Sequence, residues 1–243
     1  LVGSEMCIRD RCYGAMYVSN YTGLVLTQLI SILKGSPVTN TMLEVATSSN
    51  LWVNLFIMVL CAPVAEELIF RKLLIDRLVQ YGEGVAVLFS GLMFGLFHGN
   101  LNQFVYAFVL GLCFGFIYVK TGNIRYTIGL HMLVNFLGSV LGVAILKWLG
   151  DDFLSIASDP AGMMSYMTGN FGKLIVYFIY IFLLLGVAIA GIILFIVNLK
   201  KIRFLPGMNT IPKGKRFSTT VLNVGMALYM IVWIVIIIVQ LLQ

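Results

Sequence analysis

Two adjacent glutamates, Glu66 and Glu67, stand in an apolar run with Arg71 shortly after them, and the only two histidines, His98 and His131, also lie inside apolar segments. Ionisable groups at membrane depth are expensive, which makes such a cluster a functional-site hypothesis by default. In APVAEELIFRKLL, Ala62 to Leu74, Glu67 and Arg71 are four residues apart with the acid first, the favourable order for an ion pair along a helix. Glu66 projects about 100° away round the same helix and is left to face a cavity. Pro63 cannot donate a backbone hydrogen bond, so carbonyls one turn earlier are freed and the helix is expected to be interrupted or kinked there. In FGLFHGN, Phe94 and His98 share a helical face just before a Gly99-Asn100-Leu101-Asn102 turn. In TIGLHMLVNFLG, His131 and Asn135 are four apart and point an imidazole and an amide at one volume. Two directed donors of that kind could hold an oxyanion. They could equally hydrogen-bond between helices, at about 0.6 to 2 kcal/mol, and Glu67 with Arg71 could be a purely architectural clamp.

The elements that must carry these residues are membrane helices. Sixty per cent of the 243 residues are hydrophobic and only 11% are charged, with a mean hydropathy of +0.99. That composition excludes a soluble domain. Leu174 to Val197 carries no charge and Val221 to Leu242 is similarly clean, each long enough to cross a hydrocarbon core of about 30 Å. The expected spans are Tyr13 to Leu33, Leu51 to Val79, Val85 to His98, Leu101 to Val119, Ile124 to Trp148, Lys173 to Asn198 and Thr219 to Leu242. The first contains Ser19, Asn20, Thr22, Thr27 and Gln28 and has an interfacial amphipathic helix as its alternative. The third is short, about 14 residues or roughly 21 Å, so the turn after His98 stays below the far surface. Non-helical backbone there is tolerated only if packed in protein or lining a wet cavity. Glycines 91, 95 and 99, with 111 and 115, permit close helix approach around the cluster.

Orientation follows from charge. Lys200, Lys201, Arg203, Lys213, Lys215 and Arg216 lie between the last two spans with no acid among them, which makes that loop cytoplasmic. The segment from Gly150 to Gly172 holds Asp151, Asp152 and Asp159 and no basic residue, so it belongs outside. Alternation then places Arg71, Lys72, Arg77, Lys120 and Arg125 near the cytoplasm. A basic run between two spanning helices is explained by orientation, and no nucleic-acid partner is expected. Cys7, Cys12, Cys61 and Cys113 suggest neither a disulfide framework nor a CxxC metal site. Residues 1–11, LVGSEMCIRDR, resemble the translation of a sequencing adaptor and are set aside as non-native. Residues 12–243 are then expected to form a single transmembrane domain with its core motifs at 62–137, in a protein whose natural amino terminus lies upstream. The expected fold is all-α, a polytopic transmembrane helical bundle with an intramembrane polar cavity.

Taken in order, EExxxR (Glu66, Glu67, Arg71), FxxxH (Phe94, His98) and HxxxN (His131, Asn135) resemble the CAAX-protease and bacteriocin-processing (CPBP, or Abi) family of intramembrane proteases. The likeness is strongest from about Ala62 to Leu137. It implies that Glu66, with His98, activates a water that attacks a peptide carbonyl, while His131 and Asn135 stabilise the oxyanion and Glu67, Arg71 and Phe94 support them. A carboxylate in an apolar cavity is more basic than one in water, which suits general-base work. Zinc held by Glu66, His98 and His131 is the competing account, since three such ligands leave a fourth position for water. The spacing is not the HExxH pattern, and a metal-free reaction with no cofactor is the favoured expectation. The implied partners are membrane lipids and a peptide or membrane-protein substrate, and the implied place is a bacterial plasma membrane. Alternatives of other classes are a non-catalytic bacteriocin-immunity or peptide-binding protein, and an ion pathway lined by carboxylates.

Overall fold

With no water in a bilayer to satisfy backbone groups, apolar segments of this length satisfy them internally as helices. The computed structural model describes residues 2–150, 153–157, 159–198, 202–209, 211–215, 218–219 and 222–242, with side chains described from residue 14 onward except at 154, 198 and 213. The helices are α1 (Val2–Lys34), α2 (Thr41–Ser48), α3 (Leu51–Tyr81), α4 (Glu83–Phe97), α5 (Leu101–Thr121), α6 (Ile124–Leu149), α7 (Phe153–Ile156), α8 (Pro160–Asn198) and α9 (Val224–Leu242). Among the described residues the only β pairing is an isolated bridge between Gly82 and Pro206. Helices α3, α5, α6, α8 and α9 are long and apolar enough to cross a membrane. The chain is a multi-pass membrane protein built as an all-helical bundle.

Helix α1 packs along α5 and α8, and α4 packs along α5. The polar residues of α1 are accommodated by bonding back to their own helix: Ser19 donates to Ala15 O at 2.7 Å, Thr22 to Val18 O at 2.8 Å and Thr27 to Gly23 O at 2.9 Å. Hydroxyls disposed this way present little unsatisfied polarity to a neighbour. By composition α1 is less apolar than the five spanning helices, yet it is a 33-residue helix set against the bundle. At the α4/α5 contact a Cβ on Gly111 would lie 2.8 Å from Gly91 Cα, so glycine is required for this approach. Helix α4 has 15 residues, about 22 Å, and ends in a turn where Gly99 has φ +66°. Trp233 and Ile236 of α9 cover that turn.

One expectation is corrected. The acidic segment from Gly150 to Gly172 is not a plain loop. Asp159 caps α8, accepting from Ala161 N at 3.1 Å and Gly162 N at 2.9 Å, with Pro160 at the first helical position. Helix α8 therefore starts 13 residues before the expected Lys173 and bends at Asn170 (φ −129°, ψ 26°). At Pro63 the regular ladder of α3 is interrupted by a change from π to α register, as described below. Asp151, Asp152, Lys200, Lys201 and Arg216 of the orientation argument lie outside the described residues, as do Thr220 and Val221 of the last expected span.

Candidate active site

Helix α3 carries the two glutamates in a short α-helical piece, Ala62–Glu67, between two stretches in the wider π register, Asn54–Cys61 and Leu68–Ile75. The proline explains the first. Ala62 N–H bonds Ile57 O, five residues back. In that register the next carbonyl, Met58 O, would accept from residue 63, which has no N–H. Asn135 of α6 supplies the missing donor, Nδ2 to Met58 O at 2.7 Å. Two further bonds continue this seam. Ser139 Oγ donates to Asn135 O at 2.7 Å, and the fully buried Asn54 donates to Ser139 O at 3.0 Å and Ala46 O at 2.8 Å. Helices α3 and α6 are thus locked at the depth of the glutamates. π-Register turns of this kind recur at functional sites.

Glu67 and Arg71 are both fully buried. Arg71 donates to both Glu67 oxygens, Nε at 2.9 Å and Nη2 at 3.2 Å, and to Ser90 Oγ of α4 at 2.6 Å; Ser90 in turn donates to Phe70 O at 2.8 Å. Its guanidinium lies over the rings of Phe94 (4.9 Å) and Phe114 (5.8 Å). His131 Nδ1 donates to Glu67 Oε1 at 3.1 Å, and the buried Thr127 hydroxyl also reaches Glu67. Glu67 is therefore saturated with partners.

Glu66 is different. Its side chain is 18% exposed, against 0% for Glu67. Its Oε2 lies 3.7 Å from His131 Nε2, beyond hydrogen-bonding distance, and among the described residues this buried oxygen has no hydrogen-bond partner. A buried acceptor left unpaired is costly, so the carboxylate is poised to take a donor from whatever enters the cleft.

His98 closes α4. Its Nδ1 donates to Phe94 O at 2.8 Å, leaving Nε2 as an acceptor in the neutral ring. The Phe94 ring packs edge-on against both imidazoles, 4.9 Å from His98 and 5.6 Å from His131. The structure thus brings Glu66, Glu67, Arg71, Phe94 and His131 together, with His98 joined through Phe94. It holds Asn135 one turn along α6 from His131, with one of its two amide protons committed to Met58. Beside His98 a cavity of about 510 Å³ opens between α2 and α9, lined by Met42, Val45, Trp233, Ile236 and Val239.

Among the described residues no three His, Cys, Asp or Glu side chains converge as metal ligands. The Phe94 ring packs against both imidazoles, and the Glu67 carboxylate on His131 Nδ1 leaves Nε2 as the nitrogen that faces Glu66.

Ser90, Thr127 and Asn54 were not singled out from sequence. Asn54, a lone amide in a run of apolar residues, carried the one signal that could have found it; Ser90 and Thr127 look like any hydroxyl in a helix.

Residues 48–137 match the family described as type II CAAX prenyl endopeptidase Rce1-like. The chain is 26% identical over 151 residues to the membrane-embedded CAAX protease MroQ of Staphylococcus aureus (strain USA300), covering 59% of this chain and 58% of MroQ. It is also 26% identical over 122 residues to YdiL of Bacillus subtilis (strain 168), a membrane protein that carries the name of a peptidase, covering 50% of this chain and 49% of YdiL. The chain spans about half the length of the curated relatives it matches. No solved structure matches it significantly.

Proposed function

We propose that the protein is an intramembrane peptidase in which Glu66 activates a water against a peptide carbonyl, a reading supported by the similarity of residues 48–137 to the type II CAAX prenyl endopeptidase Rce1-like family. The observation that carries this reading is the contrast between two neighbouring carboxylates: Glu67 is saturated by Arg71 and His131, and Glu66 keeps a buried oxygen without a partner.

In the proposed reaction Glu66 takes a proton from the water as its oxygen bonds the scissile carbonyl carbon. His98 Nε2 accepts from the same water and orients it. The carbonyl oxygen becomes an oxyanion, held by His131 and by the remaining amide proton of Asn135. Glu66 then returns its proton to the amide nitrogen as the C–N bond breaks, releasing an amine and a carboxylic acid, which ionises in water. Glu67 and Arg71 touch no reacting atom in this scheme. They fix the rotamer of His131 and the pitch of α3, and so keep Glu66 turned toward the cleft. The substrate class is a peptide or membrane-protein segment that reaches the site through the apolar opening beside His98.

The test is cleavage of a quenched fluorescent peptide library by the purified, detergent-solubilised protein, compared with Glu66→Gln and with chelator present. Product from the wild type alone, unaffected by chelator, is the expected result. Equal product from Glu66→Gln removes the general base from the scheme, loss on chelation restores a metal, and no product from a folded wild type overturns the peptidase reading.

A further inference from the structure

At the start of α5 a chain of hydrogen bonds leads to the site without entering the scheme above. Asn100 caps the helix, its Oδ1 accepting from Gln103 N at 2.8 Å, while its Nδ2 donates to His98 O at 3.0 Å and to Gln103 Oε1 at 2.6 Å. Gln103 is buried, and its Nε2 donates to the Tyr106 hydroxyl at 2.9 Å. A phenol has one proton, and here its oxygen is already accepting. Among the described residues Tyr106 donates no hydrogen bond, so that proton is available. The ring lies 6.5 Å from that of His98 and packs against the buried cluster of Phe70, Phe94 and Ala107. It is also close enough to Glu66 to feel its charge.

We propose that Tyr106 is a further hydrogen-bond donor of the active site, its phenol proton directed into the cleft between Glu66 and His98 to hold the oxyanion. The inference rests on the peptidase reading above. It is motivated by the commitment of Asn135: half of that amide's donor capacity serves Met58 O, so the donor pair on α6 is incomplete. Tyr106 adds a donor from a different helix, and Gln103, Asn100 and the His98 carbonyl tie its orientation to the turn that positions the imidazole. The phenol keeps its proton throughout; its hydrogen bond strengthens as charge develops on the carbonyl oxygen, which is the condition for lowering the barrier.

The experiment compares wild type, Tyr106→Phe and Gln103→Leu with the same peptide, measuring kcat and KM separately and the unfolding midpoint of each protein. Loss of one oxyanion donor lowers kcat about 100-fold or more; that loss is expected for Tyr106→Phe, with KM within about twofold and a protein that still unfolds cooperatively, its midpoint lowered only as the stranded Gln103 amide requires. Gln103→Leu should show a smaller loss, also in kcat. A Tyr106→Phe protein with kcat within about threefold of wild type overturns the proposal while leaving the peptidase reading intact. If the wild type itself cleaves nothing, the peptidase reading fails and the placement is still decided by spectroscopy. With 3-fluorotyrosine at position 106, the fluorine resonance should move on Glu66→Gln and not on Glu44→Gln, a change at an exposed carboxylate in α2. A resonance that ignores Glu66→Gln puts the phenol away from the cleft and refutes the inference.

Discussion

Replacing Arg71 with methionine tests whether the buried clamp holds the site together. The change preserves a long, flexible side chain but removes two hydrogen bonds to Glu67, one to Ser90 and the guanidinium stacked between Phe94 and Phe114. Glu67 then keeps its charge at 0% exposure with only His131 and Thr127 as partners. Breaking a buried pair by removing one member costs about 3–5 kcal/mol. With His131 still donating, a loss of about 3–4 kcal/mol is expected for Arg71→Met. Pairing it with Glu67→Gln removes the stranded charge, so the double variant should recover about 2 kcal/mol relative to the sum of the single losses, within the usual range of coupling energies for contacting residues. Unfolding by SDS titration in mixed micelles, run as a double-mutant cycle, measures both quantities. A loss below about 1 kcal/mol for Arg71→Met, or single losses that add within about 0.5 kcal/mol, would refute the account of a coupled buried clamp.

Three further outcomes follow from named contacts. Glu66→Gln should lower kcat by about 10²–10⁴, the usual contribution of a general base, with an unfolding curve that overlays the wild type, because Glu66 Oε2 holds nothing in the resting fold. Asn135→Leu should cost about 1–3 kcal/mol, since it strands Met58 O beside Pro63; the same unfolding assay reads it, and a neutral result would mean the carbonyl finds another donor. Glu83→Gln should loosen the segment 202–209 from the bundle. Glu83 accepts from Lys120 and from Leu205 N, and its own N–H bonds Leu205 O. Faster amide exchange at Leu205, with no change in the exchange of α4 beyond its first turn, is the expected signature.

The three motifs were legible because each pairs residues on the same helix, where a spacing of four fixes a shared face. Glu67 and Arg71 form the anticipated ion pair at 2.9 Å, and the separation of the two glutamates round α3 is visible as one saturated and one unsaturated carboxylate. What sequence could not show is set by partners far along the chain. Ser90 matters because α4 brings it to Arg71, and Asn135 because a proline 72 residues earlier leaves a carbonyl open. The proline was expected to kink or interrupt α3; it interrupts the regular ladder through a wider helical register, which depends on a donor from another helix. The start of α8 was missed for a different reason. Asp159-Pro160 is a strong helix-start signal, but the residues after it, from Ala161 to Gly172, are too polar to read as part of a span.

The depth of the site follows from two tethers and the rise of a helix. Asp76 near the end of α3 accepts from Tyr118 at 2.7 Å, and Glu83 at the start of α4 pairs with Lys120, so both helices are pinned to neighbouring positions of α5. At about 1.5 Å per residue Phe94 lies about 16 Å above Glu83, and Glu66 lies somewhat less than about 15 Å above Asp76, because the π register of Leu68–Ile75 shortens the rise. The ring that packs against both imidazoles is thereby set level with the carboxylates, as the 4.9 Å contact between Arg71 and Phe94 requires. His98, four residues on, stands about 6 Å higher, where α4 has ended and only Gly99, covered by Trp233 and Ile236, completes the turn. The position of the second imidazole is therefore determined by the length of α4 and its anchor at Glu83. An inserted residue in α4 would rotate His98 by about 100° and separate it from Glu66 while leaving the motif FxxxH intact.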